Sequence, residues 1–147
     1  MPRAFEDLAE GETLVSAERA ITAADIEAFA RLTGDFNPIH ISDDHARASR
    51  FGRRVAHGAF VFSVSLGLLW GEEANRGDII AIASVEKLRF VRPTFLGDTI
   101  RVRQKIQALS VIGHESGLME AQEEVLNQDD LVVMTYTAKL LMRRSGG

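Results

Sequence analysis

The feature that most limits the possible folds is a run of seventeen residues, Val55 to Gly71, without a single Asp, Glu, Lys or Arg. This length is at the lower edge of what a membrane-spanning helix of about 17–25 residues requires. However, His57, Ser63 and Ser65 interrupt the run, and segments with the period of strands follow it. A helix that is apolar on every face is more simply one that is buried inside a globular domain. We therefore predict a long buried helix from Gly58 to about Asn75, and no membrane as a partner.

After this helix the sequence takes up the two-residue period of β-strands. Ile79 to Val91 is predicted to form one strand, and apolar and polar residues alternate from Ile100 to Ala108. The alternation from Val132 to Met142 is unbroken, which is typical of a half-buried strand, and residues Asn127 to Asp130 favour a turn before it. One long buried helix followed by antiparallel strands predicts an α+β fold, a sheet wrapped around a helix, in a single domain over residues 1–147.

The N-terminal third is predicted to hold one strand and two helices. Glu12 to Ile21 favours the strand. Thr22, followed three residues later by Asp25, is a variant of the capping box that begins helices, and Gly34 is suited to end the same helix. A second, short helix is predicted from Ser42 to about Arg50. A single sheet of this kind leaves edges and part of one face uncovered, so we expect a homodimer or a higher homo-oligomer.

The composition limits the classes of function. A formal net charge of −4 and an isoelectric point of about 5.6 argue against nucleic acid as a partner. The chain has no cysteine, which excludes disulfides and cysteine-ligated metals and fits a reducing compartment. No long apolar stretch follows the N-terminal methionine, so we expect no secretory signal and a cytoplasmic protein. The four histidines lack the spacing of metal ligands, so we expect no metal ion.

The segment from Gly34 to His40 holds the strongest candidates for chemistry. Asn37-Pro38 favours a turn, because proline fixes its own φ and donates no hydrogen bond, so we expect neither regular helix nor strand here. Such a rigid loop could turn Asp35 and His40 toward one small volume. With ordinary pKa values of about 3.9 and 6.5, a carboxylate and an imidazole form an acid/base pair at neutral pH. The alternative is that the aspartate bonds only its own loop and the histidine lies at the surface.

The residues from Phe29 to His40, with Ala46 after them, resemble the signature of the MaoC-like (R)-specific enoyl-CoA hydratases, the hydratase-2 branch of the hot-dog superfamily. The resemblance continues at Phe5–Gly11, Ala56–Gly58, Phe90–Pro93 and Gly97–Thr99. It implies a hot-dog fold and (R)-specific hydration of trans-2-enoyl-CoA, with Asp35 and His40 as the catalytic pair. It also implies that no cofactor is needed, because CoA is part of the substrate.

Gly58 is the candidate for stabilising negative charge on the thioester oxygen. It stands at the predicted start of the buried helix, where free N–H groups point outward and the helix dipole favours negative charge. The family resemblance implies a backbone N–H at the same point. The alternative is that this glycine only permits close packing of the helix. For the preceding His57 we favour a structural role, with a hydrogen bond to nearby backbone, over a place in the pocket wall.

Further substrate contacts are expected on the same helix and loop. The resemblance implies a serine in the central helix, but an ungapped comparison places Leu66 at that position. Ser63 is close by, although its hydroxyl could instead bond back to its own helix. We include both residues, and Asn37 of the loop, among the predicted substrate contacts. Leu66 could equally be a core residue.

A local group of arginines stands out in an acidic chain. Arg50, Arg53 and Arg54 are predicted to contact the phosphates of CoA or an acidic carrier protein. The alternative is a solvated loop face.

Three rival functions use similar sequence features. A 3-hydroxyacyl-carrier-protein dehydratase would use the same residues in the reverse reaction. A hot-dog acyl-CoA thioesterase would direct a carboxylate at the carbonyl carbon and release free CoA thiol. A non-catalytic module would bind acyl thioesters without turning them over. In each case the expected partner is an acyl-CoA or acyl-carrier-protein thioester.

Overall fold

The computed structural model of the chain describes residues 3–75 and 77–146. The helices are α1 (Ala23–Thr33), α2 (Pro38–Ile41), α3 (Asp43–Ala48) and α4 (Gly58–Gly71), with short 3₁₀ turns at Phe5–Asp7 and Glu73–Asn75. The strands are β1 (Thr13–Val15), β2 (Arg19–Ala20), β3 (Ile79–Phe90), β4 (Thr99–Val111), β5 (Ser116–Leu126) and β6 (Val132–Arg143).

The six strands form an antiparallel sheet in the order β1-β4-β5-β6-β3, with the short β2 paired to the other end of β4. The central helix α4 lies against this sheet. Its residues Phe60, Val61 and Val64 share one buried cluster with sheet residues that include Val102 and Tyr136. The predicted α+β arrangement of a sheet around one helix is therefore confirmed.

The central helix is shorter than the expected Gly58 to Asn75. It ends at Gly71, because Glu72 takes an extended conformation with φ −75° and ψ 131°. The side chain of Asn75 turns back and donates a hydrogen bond of 3.1 Å to the carbonyl of Leu69, which also accepts from the N–H of Glu72, so two donors secure this helix end. None of the helices within residues 3–75 and 77–146 is long and apolar enough to cross a membrane.

The first predicted strand, Glu12 to Ile21, is divided into β1 and β2. At the break, the N–H of Ser16 donates to the carbonyl of Val102, and the Ser16 hydroxyl accepts from the N–H of the same residue, both across 2.8 Å. A side chain thus replaces the backbone acceptor, which bends the strand. The predicted capping box at Thr22 and Asp25 is present on α1.

Candidate active site

The segment that carries the candidate pair is more regular than we expected. Pro38–Ile41 forms one helical turn, so the prediction that it could not be helical is wrong. The physical reason is that proline fits the first helical position, where its missing N–H would have no partner anyway. The side chain of Asn37 caps the turn by accepting a hydrogen bond of 3.3 Å from the N–H of Ile39. Whether Asn37 also contacts substrate stays a prediction.

His40 is half-buried and held in one tautomer. Its Nδ1 lies 2.7 Å from the carbonyl oxygen of Val55, and because a carbonyl only accepts, Nδ1 must carry the proton. The other ring nitrogen, Nε2, is then unprotonated and can accept a hydrogen bond. Burial lowers the pKa of His40, against the opposing effect of the bond to Val55. The imidazole is therefore neutral at pH 7 and able to take a proton.

The buried side chain of His57 contacts both candidate residues, Asp35 and His40. It is 2% exposed, and its Nε2 donates to the main-chain carbonyl of Asp35 across 3.0 Å. Its ring stacks on the ring of His40, with centroids 3.9 Å apart, and meets the edge of Phe29. The expected structural hydrogen bond to backbone is confirmed. His57 thereby fixes the spacing between the Asp35 segment and the His40 ring.

The carboxylate of Asp35 faces the same volume as the two rings. Its Oδ1 accepts from the N–H of Asn37 across 3.2 Å, while the side chain remains exposed. Side-chain ligand atoms of Asp35, His40 and His57 all lie within 4.8 Å of one another. Two hydrogen bonds of about 2.8 Å span such a distance, so one water molecule can bridge the carboxylate and the imidazole. A cation at this place would have to use the same atoms.

Arg54 is placed differently from the other arginines. It is 9% exposed, and its Nε donates to the main-chain carbonyl of His40 across 2.6 Å. Its Nη1 lies 3.9 Å from a carboxylate oxygen of Asp43. Arg54 thus holds α2 from inside, contrary to our expectation of one exposed cluster with Arg50 and Arg53. Nothing in the spacing of the arginines distinguishes the buried one.

Arg50 and Arg53 remain at the surface. The guanidinium of Arg53 lies 3.9 Å from the ring centroid of Phe95. This pair lines a groove of about 220 Å³ that also contains Arg92 and Pro93. The phosphate contact predicted for the two exposed arginines stays a prediction.

Gly58 is the first residue of α4, so its N–H has no acceptor within the helix. A Cβ at this position would lie 2.5 Å from a ring carbon of Phe90, so the glycine also permits a close approach of β3. Gly58 lines a groove of about 510 Å³ that reaches Arg92 and Pro93. Both interpretations of this glycine are therefore compatible with its surroundings.

The serines and Leu66 of α4 separate into different environments. Ser63 is exposed, and its hydroxyl donates back to the carbonyl of Ala59 across 2.9 Å. Ser65 is fully buried and pairs with the hydroxyl of Tyr136 at 2.7 Å. Leu66 lines a partly open, mainly apolar cavity of about 200 Å³ together with Leu69. Leu66 is therefore beside open space inside the domain, as a substrate contact would require.

Comparison with known proteins identifies the family of this chain. A model of the MaoC-like domain matches residues 5–128. The chain belongs to the MaoC-like domain family.

Curated relatives are similar over most of this chain. The protein MaoC of Klebsiella aerogenes is 41% identical over 99 residues, which are 67% of this chain and 29% of that protein. A 3-hydroxybutyryl-CoA dehydratase of Methylorubrum extorquens is 33% identical over 71% of this chain and 64% of its own length. An (R)-specific enoyl-CoA hydratase of Rhodospirillum rubrum is 32% identical, over 71% of this chain and 70% of its own. The chain thus spans less than two thirds of the first two relatives.

Solved structures match over nearly the whole chain. A monoamine oxidase regulatory protein from Archaeoglobus has a TM-score of 0.90 at 32% identity, covering 98% of this chain and 96% of that one. A MaoC-like dehydratase from Rhodospirillum rubrum has a TM-score of 0.84 at 32% identity, covering 97% of each chain. A Mycobacterium tuberculosis protein with a double hot-dog fold matches at a TM-score of 0.86 and 19% identity, over 98% of this chain and 45% of that one. The predicted hot-dog fold is confirmed.

Proposed function

We propose that this protein hydrates trans-2-enoyl-CoA to (R)-3-hydroxyacyl-CoA, reversibly. The observation that carries the proposal is the position of the Asp35 carboxylate within 4.8 Å of a ring nitrogen of His40, a distance that one water molecule can bridge. The similarity to an (R)-specific enoyl-CoA hydratase and to a 3-hydroxybutyryl-CoA dehydratase supports the same reaction class.

The proposed reaction adds one water across the double bond. Asp35 and His40 hold the water through its hydrogens, and the pair removes one proton as the oxygen attacks carbon 3. The electrons of the double bond move to carbon 2 and the thioester oxygen. The pair then returns a proton to carbon 2, so that the product gains H and OH from the same side. Because closely coupled groups titrate together, the base is assigned to the pair and not to one residue.

The negative charge on the thioester oxygen is assigned to the N–H of Gly58. Partial positive charge at the start of α4 favours an oxyanion there. We assign the groove beside Gly58 to the thioester as its route in from the surface. The acyl chain would then extend along α4 toward Leu66, eight residues and about 12 Å further at 1.5 Å per residue.

The direct test is an absorbance assay of enoyl-thioester hydration with crotonyl-CoA and longer chains, followed by the chirality of the product. We expect loss of the enoyl absorbance and an (R)-3-hydroxyacyl product. Release of free CoA thiol without hydration would support the thioesterase instead. Tight binding of acyl-CoA with no turnover of any enoyl-CoA or enoyl-carrier-protein thioester would support the binding module.

The exposed arginines Arg50 and Arg53 lead to a prediction about CoA affinity. The double replacement Arg50→Gln and Arg53→Gln should raise KM for CoA thioesters and weaken its salt dependence, with kcat less changed, because the lost contacts are electrostatic. Arg47→Gln, which removes an exposed arginine paired with Asp44, is the matched control. Equal shifts of KM for CoA and for a short pantetheine thioester would contradict a contact with the nucleotide phosphates.

Strand β3 favours a second copy of the chain as partner. In the described part of the chain it pairs on one side only, with β6, and its twelve residues form an edge of the sheet. Ile80 is 50% exposed and Phe90 is 59% exposed. The first half of this edge, residues 79–85, is apolar apart from Ser84 and invites pairing with another strand, whereas the charged residues Glu86, Lys87 and Arg89 lie in the second half. We therefore propose a homodimer through β3.

The dimer is tested by measuring molar mass with light scattering. Ile80→Lys places a charge on the edge and should convert the dimer to monomer. Val111→Lys, which replaces an exposed valine at the end of β4, should leave it unchanged. A wild-type monomer at micromolar concentration would contradict the proposal.

The cavity beside Leu66 predicts how chain length is selected. Leu66→Ala should raise kcat/KM for eight- to twelve-carbon enoyl thioesters relative to crotonyl-CoA, because the smaller side chain enlarges the cavity. Crotonyl-CoA is too short to extend about 12 Å along the helix, so its kcat/KM should stay close to wild type. A loss of roughly 2–5 kcal/mol in the free energy of unfolding with no change in the chain-length ratio would mean that Leu66 is only core.

A further inference from the structure

A row of polar side chains crosses the otherwise apolar inner face of the sheet. The strand registers pair Gln104 of β4 with Glu123 of β5, and Glu123 with Tyr136 of β6. Glu123 and Tyr136 are fully buried, and Gln104 is 3% exposed. Nε2 of Gln104 donates to Oε1 of Glu123 across 2.6 Å, whereas Tyr136 turns its hydroxyl to Ser65 on α4. The polar row therefore lies inside the domain, beneath the central helix.

The carboxyl group of Glu123 is only half satisfied. Its Oε2 is buried and has no hydrogen-bond partner among the residues that the structure describes. Folded domains contain few such atoms, because an unpaired buried polar atom costs stability. Gln104 and Glu123 both lie in the wall of the cavity beside Leu66. The half-satisfied carboxyl group thus lies at the wall of this cavity but directly behind its surface, so a ligand reaches Oε2 only when neighbouring side chains move aside.

We propose that Glu123, together with Gln104, selects an acyl chain that carries a hydroxyl group at the depth of this polar row. The inference rests on the proposed function, because it takes the cavity as the place of the acyl chain. The rest of the lining is mainly apolar and includes Leu69, Met119 and Leu140. An uncharged hydroxyl costs far less to bury in such a cavity than an ammonium or a second carboxylate.

The protonation of Glu123 fits a hydroxyl as its partner. Burial raises the pKa of this carboxyl group from its ordinary value of 4.5 to about 7, although the bond from Gln104 acts in the opposite direction. Both protonation states are therefore present near neutral pH. A hydroxyl donates to the carboxylate and accepts from the carboxylic acid, so it can satisfy either state.

The test measures binding without chemistry. Saturated acyl-CoA thioesters of six, eight and ten carbons, each with and without a terminal hydroxyl, are titrated calorimetrically into the full chain. At one of these lengths we expect the hydroxylated thioester to bind about 10- to 100-fold more tightly, as for a hydrogen bond to a charged group. Glu123→Met, an apolar side chain of similar length, should remove this preference. Glu124→Met, on the opposite face of β5 and paired with Arg103, should keep it.

Each outcome decides the proposal. Affinities within about threefold of each other at every length in the wild-type protein would overturn it, whether or not Glu123→Met folds. A preference that persists in Glu123→Met would overturn it as well. A hydroxyl preference without hydration of any enoyl thioester would support the role of Glu123 and contradict the proposed reaction. Hydration of enoyl thioesters without any hydroxyl preference would support the proposed reaction and contradict the role of Glu123.

Discussion

Replacement of Asp35 with Asn should lower kcat for enoyl-thioester hydration by about 10²- to 10⁴-fold, the usual contribution of a positioned acid/base group. His40→Ala should cause a loss in the same range, because the amide in Asp35→Asn cannot take a proton and the imidazole is missing in His40→Ala. The two residues act together on one proton transfer. The kcat of the double variant should therefore be only slightly lower than that of the less active single variant. Steady-state kinetics with crotonyl-CoA would measure all three values.

The matched controls for these variants lie on α3. Asp44→Asn and His45→Ala change the same residue types on an exposed helix outside the site, and both should keep near wild-type kcat. Near wild-type hydration by Asp35→Asn would contradict the assignment of the pair. A fall in kcat for the two controls of the same size as for the pair would show that the effect is not specific to the site.

The pH dependence of kcat/KM gives an independent check on His40. Burial lowers the pKa of its imidazole, so the neutral, proton-accepting form persists as the pH falls below the ordinary value of 6.5. Activity should therefore be lost on the acid side only below about pH 6.5. A profile whose acid limb lies well above that pH would mean that another group limits the reaction.

The parts of the fold that sequence predicts are those governed by local physical rules. The charge-free run gives α4 because an all-apolar helix must be buried, and the capping box at Thr22 begins α1 because its bonds are local. The sequence predicts a turn at Pro38 but not its helical conformation, because proline is compatible with a first helical position as well as with a loop. Whether this turn becomes helical depends on the residues around it, including the cap that Asn37 provides.

The site is predicted less completely than the fold, because several contacts join distant segments. Arg54 meets the carbonyl of His40 only after the chain between them has folded, so the sequence groups it with its exposed neighbours. The sequence indicates the polar row only in part. Gln104 and Glu123 occupy positions that alternate with outward-facing residues, so a polar residue at an inward position can be recognised. Their pairing depends on the register of β4 with β5, which the alternation alone does not fix.

The buried carboxyl group of Glu123 should make the domain less stable as the pH rises. Its pKa is raised in the folded protein to about 7 from 4.5, so the folded state holds this proton more tightly than the unfolded state. Stability from this group is complete below pH 4.5 and is lost as the pH rises toward 7 and above. At about 1.36 kcal/mol per pKa unit, the full effect is about 3 kcal/mol.

Glu123→Gln isolates this effect, because the amide keeps the shape of the side chain and does not ionise. The free energy of unfolding of Glu123→Gln, minus that of the wild type, should increase by about 2–3 kcal/mol between pH 5 and pH 8. Any constant cost of the substitution cancels in this pH comparison, and Glu124→Gln on the opposite face of β5 is the charge-matched control. Urea denaturation at several pH values gives the difference. A difference that does not change with pH would mean that Glu123 finds a partner for its charge in the folded protein, and the unsatisfied oxygen in the cavity wall would then need another explanation.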